Sequence, residues 1–329
     1  MVATVLLPRC RQTLSAARLD ALPAVLRDRT ELIALRHAVA LSAGETGAPG
    51  RQAYLTALAW NLARLTRLEA VLAAARADGL KLVPFKGAVL VRTHYGDPGA
   101  RPMLDVDVAC APADLGRAVE LCQDLGFTRS DPQPFRYARD AVHDVKMTAG
   151  PVQIELHHRL WHELRIAREV EPLMARATEI AYGATTAWVP SVADHLYVVL
   201  VHAATHGFTG NALWLTDAAL LADDGGASLW ADVESLAAAA GARVALAAAR
   251  DQLRAVMPWI EGGDARRPSL RVAPVRRAIL KRMGPWLQRG EGALGPWASR
   301  VVRPMLFDRT RDLGSWALEK LSMWGKEKR

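Results

Sequence analysis

The chain has 329 residues, 51% hydrophobic and 23% charged, which is enough to bury a sizeable core and excludes a disordered polypeptide. A formal net charge of +8 implies an anionic partner without choosing among nucleotide, nucleic acid and lipid surface. No apolar run is long enough to span a bilayer, Met1–Cys10 makes a poor signal peptide, and three cysteines without C-x-x-C spacing (Cys10, Cys110, Cys122) point to reduced thiols in a cytoplasmic protein and against a zinc site.

The first eighty residues read as helices rich in Ala, Leu and Arg, broken at Ser42–Gly50. Tyr54–Ala77 carries Leu55, Leu58, Leu62, Leu65, Leu68 and Leu72 at helical spacing, which predicts a helix packed on a sheet. Leu80–Phe85 reads as a strand running through Lys86-Gly87 into a helix at Ala88–Tyr95. A glycine at such a turn lets the backbone approach a ligand closely, the first helical amides can hold phosphate oxygens, and Lys86 adds a point charge. The loop Gly96–Pro102 then brings Arg101, a residue suited to phosphate geometry, up to the next strand.

That strand, Met103–Cys110, holds the most informative residues. Alternate side chains share a face, so Asp105 and Asp107 point one way while Leu104, Val106 and Val108 point into a core. Two carboxylates held that close favour a cation, and Mg²⁺ suits one or two carboxylates with substrate phosphates. A lone D-x-D is more often a solvated strand face, and its neighbours are what raise the odds. Further on, Asp114–Leu125 reads as a helix stopped by Gly126, and Phe127–Met147 as one or two strands around the turn at 131–134. Val152–His158 alternates again, with Gln153, Glu155 and His157 on one face; pairing beside the first strand would add Glu155 to Asp105 and Asp107. From Leu160 on the pattern is helical: Trp161–Glu179, Ser191–Gly207, Ala212–Ala222, Ser228–Gly241 and Ala242–Val256, followed by an ending broken by Gly-Pro pairs.

The histidines divide between chemical and ordinary roles. His143-Asp144 sits in a strand pattern, whereas metal phosphohydrolase chemistry of the HD type needs that dipeptide on a helix. His157 either supports a metal-bound water or the substrate, or is a half-buried hydrogen bonder. His202 and His206 lie one helical turn apart, yet Ala203 stands where a zinc protease has its Glu, so core or substrate-pocket roles fit better. The acid-free basic segment 266–282 could meet nucleic acid or a lipid surface; without interleaved aromatic residues, solvated surface charge is the simpler reading.

Taken in order, the strand, Lys86-Gly87, the helix to Tyr95, Arg101-Pro-Met, Asp105-Val-Asp107, Leu125-Gly-Phe127 and Ile154-Glu155-Leu-His157 resemble the bacterial uncharacterised nucleotidyltransferase family of the DNA polymerase β-like superfamily, over about residues 30–255. The resemblance implies an α+β fold: a minimal nucleotidyltransferase mixed sheet at 80–158, flanked by an N-terminal helical region at 1–79 and a C-terminal helical region at 159–329. It implies Asp105, Asp107 and Glu155 as catalytic metal ligands for Mg²⁺ or Mn²⁺, and Lys86, Gly87, Arg101 and His157 on the nucleotide side. The superfamily's Gly-Ser or Gly-Gly is here Lys86-Gly87, so the serine hydroxyl that meets the triphosphate is absent. The implied reaction moves a nucleoside monophosphate from an NTP to a small molecule, peptide or protein, or RNA, releasing pyrophosphate; a peptide-tailoring context is one setting. Its alternatives are a weak or inactive scaffold of the same fold and a toxin that nucleotidylates RNA or protein.

Overall fold

Short segments of alternating side chains build one sheet. The computed structural model describes residues 6–260, except 28, 46, 131–134, 136–141, 162–165, 209–211 and 227, together with residue 308. Strands β1 (Leu82–Pro84), β2 (Val106–Cys110), β3 (Thr128–Arg129), β4 (Asp144–Ala149) and β5 (Val152–His157) lie in the order β1-β2-β5-β4-β3. The β2–β5 pair is parallel and the other pairs are antiparallel, so the sheet is mixed and the fold is α+β. The parallel register sets Asp107 opposite Glu155 and Ala109 opposite His157.

Before the sheet come α1 (Pro8–Thr13), α2 (Ala16–Asp20), α3 (Ala24–Arg27), α4 (Thr30–Ser42) and the long α5 (Arg51–Ala77). Helix α6 (Gly87–Leu90) leaves β1 and runs into a π-helical turn, Val91–Tyr95; α7 (Leu115–Asp124) follows β2. After β5 come α8 (Glu171–Arg176), a hairpin of β6 (Thr178–Tyr182) and β7 (Thr185–Val189), then α9 (Val192–Thr205), α10 (Leu213–Asp224), α11 (Leu229–Ala240) and α12 (Arg243–Val256). Val106, Val108, Ile154 and Leu156 pack on one side of the sheet with Leu65 and Leu68 of α5 and with α7. Val83, Phe85 and Ala109 join the other core, with Leu90, Tyr95 and the apolar faces of α9 and α10. Burial of this apolar surface, at roughly 25 cal/mol per Å², is the main stabilising force.

Three expectations are corrected. Among the described residues, the helix expected over Trp161–Glu179 is the short α8, followed by a hairpin, because Thr178-Glu-Ile-Ala-Tyr and Thr185-Thr-Ala-Trp-Val are β-rich runs joined at Gly183. Leu104 does not enter the core: the strand begins at Val106, and Leu104 is 80% exposed. The buried stripe of α5 carries some of the leucines expected in it but not all. Leu65, Leu68 and Leu72 are buried as expected, together with Tyr54, Ala57, Asn61, Arg64 and Val71, while Leu55 and Leu62 are exposed. The turn expected at 131–134 and the basic segment 266–282 lie outside the described residues. No helix among the described residues is long and apolar enough to cross a membrane.

Candidate metal and nucleotide site

Strand alternation sends Val106 and Val108 to the apolar side and Asp107 to the opposite face; on β5 it does the same for Ile154 and Leu156 against Glu155 and His157. One ligand atom from each of Asp107, Glu155 and His157 lies within 4.8 Å of the others. Oδ1 of Asp107 accepts hydrogen bonds from Lys86 Nζ and His157 Nε2, each at 2.9 Å. Glu155 Oε1 is held by Lys146 Nζ at 2.9 Å and by Gln153 Nε2 at 2.8 Å, while its Oε2 stands 3.7 Å from His157 Nε2. Asp105, immediately before the strand, is half-buried beside these acids.

The electrostatics divide the carboxylates. Burial, with Asp107 and Glu155 adding repulsion, pushes Asp105 up to about 6. Burial acts the same way on Asp107, but Lys86 and His157 overcome it and hold Asp107 well below the usual carboxylate range. Glu155 is brought down to about 2, burial being outweighed by the nearby His157 and by its hydrogen bond from Lys146. His157 rises to about 9 against the effect of burial, because Asp107 and Glu155 favour the imidazolium. Its ring meets the Phe85 ring at 5.1 Å and the His143 ring at 5.5 Å.

The turn between β1 and α6 places Lys86 above Asp107. Lys86 adopts φ +51°, an unusual conformation for a side chain with Cβ, held by Phe85 N donating to Asp107 O and by Leu90 N donating to Lys86 O. Strained backbone of this kind gathers at functional sites. Gly87 is required for a different close approach from the one expected of a bound ligand. A Cβ there would collide with Arg101 Nη1 and meet Met103 Cγ at 3.0 Å.

Arg101 is correspondingly buried, and its Nε and Nη2 donate to both oxygens of Asp217 on α10 at 2.8 and 2.6 Å. Tyr95 Oη donates to Asp217 Oδ1 at 2.9 Å. The guanidinium expected to face phosphate is thus engaged in a bidentate ion pair behind the Lys86-Gly87 turn. The loop before Asp105 is fastened to α5: Asn61 Nδ2 donates to Pro98 O and Arg101 O, and Met103 N donates to Asn61 Oδ1.

Sequence reasoning missed Arg64, Lys146 and His195, whereas His202 and His206 were expected as core or substrate-pocket histidines. Asn61 and Arg64 were findable, as polar residues in register with the buried positions of α5. His195 on α9 is buried and held down at about 3, by burial first and by the cations around it. His202, two turns further along the same face, is also lowered by burial and stacks on His206 at 4.3 Å. His143 precedes β4 rather than lying on a helix, which removes the HD-type arrangement.

A family model described as an uncharacterised nucleotidyltransferase matches residues 3–258. Among solved structures, the solution structure of the antibiotic-resistance factor ANT(2'')-Ia is similar with a TM-score of 0.41 and 16% identity, over 54% of this chain and 91% of that one. The crystal structure of ANT(2'')-Ia in complex with adenylyl-2''-tobramycin gives 0.39 and 16%, over 54% and 96%. No curated protein matches the sequence.

Proposed function

This chain belongs to the uncharacterised nucleotidyltransferase family, and from that premise we propose that it transfers a nucleoside monophosphate from an NTP to an acceptor, with pyrophosphate leaving. The observation that carries the reading is the parallel β2–β5 register, which sets Asp107 and Glu155 side by side with His157 one alternation further. The carboxylates of Asp107 and Glu155 are an oxygen donor set that fits Mg²⁺ or Mn²⁺, with His157 outside it as the protonated donor to Asp107. The protein's own cations, Lys86, His157 and Lys146, supply the positive charge these acids require.

Asp107 and Glu155 would hold the ion on the acceptor side, with Asp105 shared between two ions. When bound, such ions activate the acceptor and neutralise charge on the leaving phosphates. Lys86, already aimed into the site from the strained turn, holds a phosphate oxygen of the NTP, and the Gly87 turn keeps that cation over the acids. His157 keeps Asp107 ionised by donating from Nε2. Arg101 acts through Asp217 as a positioning residue for the turn and leaves phosphate contact to Lys86.

The acceptor is a small molecule, a peptide or protein, or RNA. Three free, buried cysteines agree with a cytoplasmic setting. A second reading, a scaffold with weak turnover, draws on the same Lys86–Asp107 pair, since protein cations already compensate the acid. Four labelled NTPs with Mg²⁺ or Mn²⁺, offered with peptide, tRNA and small-molecule pools, separate the two. Label transfer with pyrophosphate release supports the enzyme, and NTP binding without turnover supports the scaffold.

A further inference from the structure

Three arginines are buried among the described residues: Arg64, Arg101 and Arg250. Arg101 pairs with Asp217, and Arg250 with Glu234 at 2.6 Å. Arg64 is only 7% exposed, yet its Nε and Nη1 have no hydrogen-bond partner. One face of its guanidinium lies over the Trp60 ring, with Cζ 5.5 Å from the centroid, a contact that steadies the plane without using its donors. Buried donors left unmet are costly, more so when the group is charged.

Its position is set by α5. Asn61, one turn earlier on the same buried face, carries the loop that leads through Met103 into Asp105. Arg64 therefore lies under the entry to the acidic strand, and Asp105 is near enough to act on it electrostatically without forming an ion pair. Lys86 is the cation paired with Asp107, two residues further along the strand.

We infer that Arg64 binds the pyrophosphate moiety of the nucleotide, its unmet Nε and Nη1 donors taking phosphate oxygens beside Asp105 while Lys86 serves the acids from Asp107. The inference rests on the nucleotidyltransferase reading. A planar fork of donors matches phosphate oxygens in a way a lysine does not, and charge-assisted pairs of this kind are among the stronger polar contacts. The surrounding acids exclude a carboxylate ligand by repulsion, whereas a phosphate arriving with divalent ions is accepted.

The test is calorimetric titration of the full chain with inorganic pyrophosphate and with NTP, each with Mg²⁺, alongside thermal unfolding of the free protein. Arg64→Met keeps an unbranched apolar side chain in the space and removes the donors. It should weaken pyrophosphate and NTP binding by about tenfold or more, while the Tm of the free protein holds or rises. Arg64→Lys, which keeps the charge without the fork, should fall between. Pyrophosphate affinity in Arg64→Met equal to that of a wild type that binds it would overturn the inference and leave the proposed function standing. So would a lowered Tm with unchanged affinity, which would make Arg64 a structural partner of Asp105. A wild type that binds neither probe would remove the nucleotidyltransferase reading and this inference together.

Discussion

The ion pair behind the Lys86-Gly87 turn makes a demanding prediction about stability. Asp217→Asn keeps the shape of the side chain but turns one of the two oxygens facing Arg101 into an amide that donates. The distances of 2.8 and 2.6 Å leave no room for two facing donors, and the guanidinium loses its counter-charge. Breaking a buried pair by removing one partner costs about 3–5 kcal/mol, against a total stability on the order of 5–15 kcal/mol. At roughly 2–4 °C per kcal/mol for a chain of this size, the Tm should drop by about 10 °C. Arg101→Met/Asp217→Leu, which removes both charges, should recover much of that loss, since an apolar replacement of a buried pair is often neutral. Urea unfolding and thermal melts of wild type, Arg101→Met, Asp217→Leu and the double variant give the full cycle, with Asp217→Asn measured beside them. A single-variant loss below about 1 kcal/mol, within the range of a surface pair, would refute the reasoning.

Gly87→Ala should destabilise by about 1–3 kcal/mol, because its Cβ enters the space of Arg101 Nη1; melts of wild type and variant check it, and an unchanged Tm would show that Arg101 yields freely. Lys86→Gly should be more stable than Lys86→Ala by about 1 kcal/mol, since only glycine adopts φ +51° without strain, and urea titration of both variants measures the difference. Burial holds His195 at about 3 and His94 at about 4, below the ordinary 6.5, so the unfolded chain takes up protons first as the pH falls. Their contribution is fully present above pH 6.5 and declines toward the folded values, by roughly 1.4 kcal/mol per histidine per pH unit. Wild-type stability should therefore fall more steeply than that of His195→Leu between pH 6.5 and 5; parallel curves from urea titrations would contradict this.

What was readable in the sequence follows from periodicity. Two alternating runs sufficed to set Asp107 and Glu155 on one face, because a period of two admits only that arrangement once the apolar face is buried. The four helices from Ser191 onward were readable for the same reason, with Ser191 accepting from Asp194 N at the first of them. Pairings across long stretches of chain were not readable. Asp217 meets Arg101 from 116 positions away, and no local pattern announces that the phosphate-like arginine is already engaged. Leu104 was misplaced because the strand begins two residues later, and the β6–β7 hairpin was lost in a region whose surroundings are helical. Leu65, Leu68 and Leu72 of α5 were read correctly, while Leu55 and Leu62 misled because the buried face also takes in Asn61, which holds the loop before Asp105.

The central claim is that the acids on β2 and β5 serve metal-dependent transfer, and Asp107→Asn tests it most directly. The substitution keeps size while removing the charge that Lys86 and His157 face. The measurement is pyrophosphate release from a labelled NTP and acceptor pool at saturating Mg²⁺, with metal binding followed in parallel. The account predicts release by the wild type and a collapse of both release and metal affinity in Asp107→Asn, with the folded state retained. Release by Asp107→Asn equal to wild type, or a wild type that binds neither divalent ion nor NTP, would contradict it.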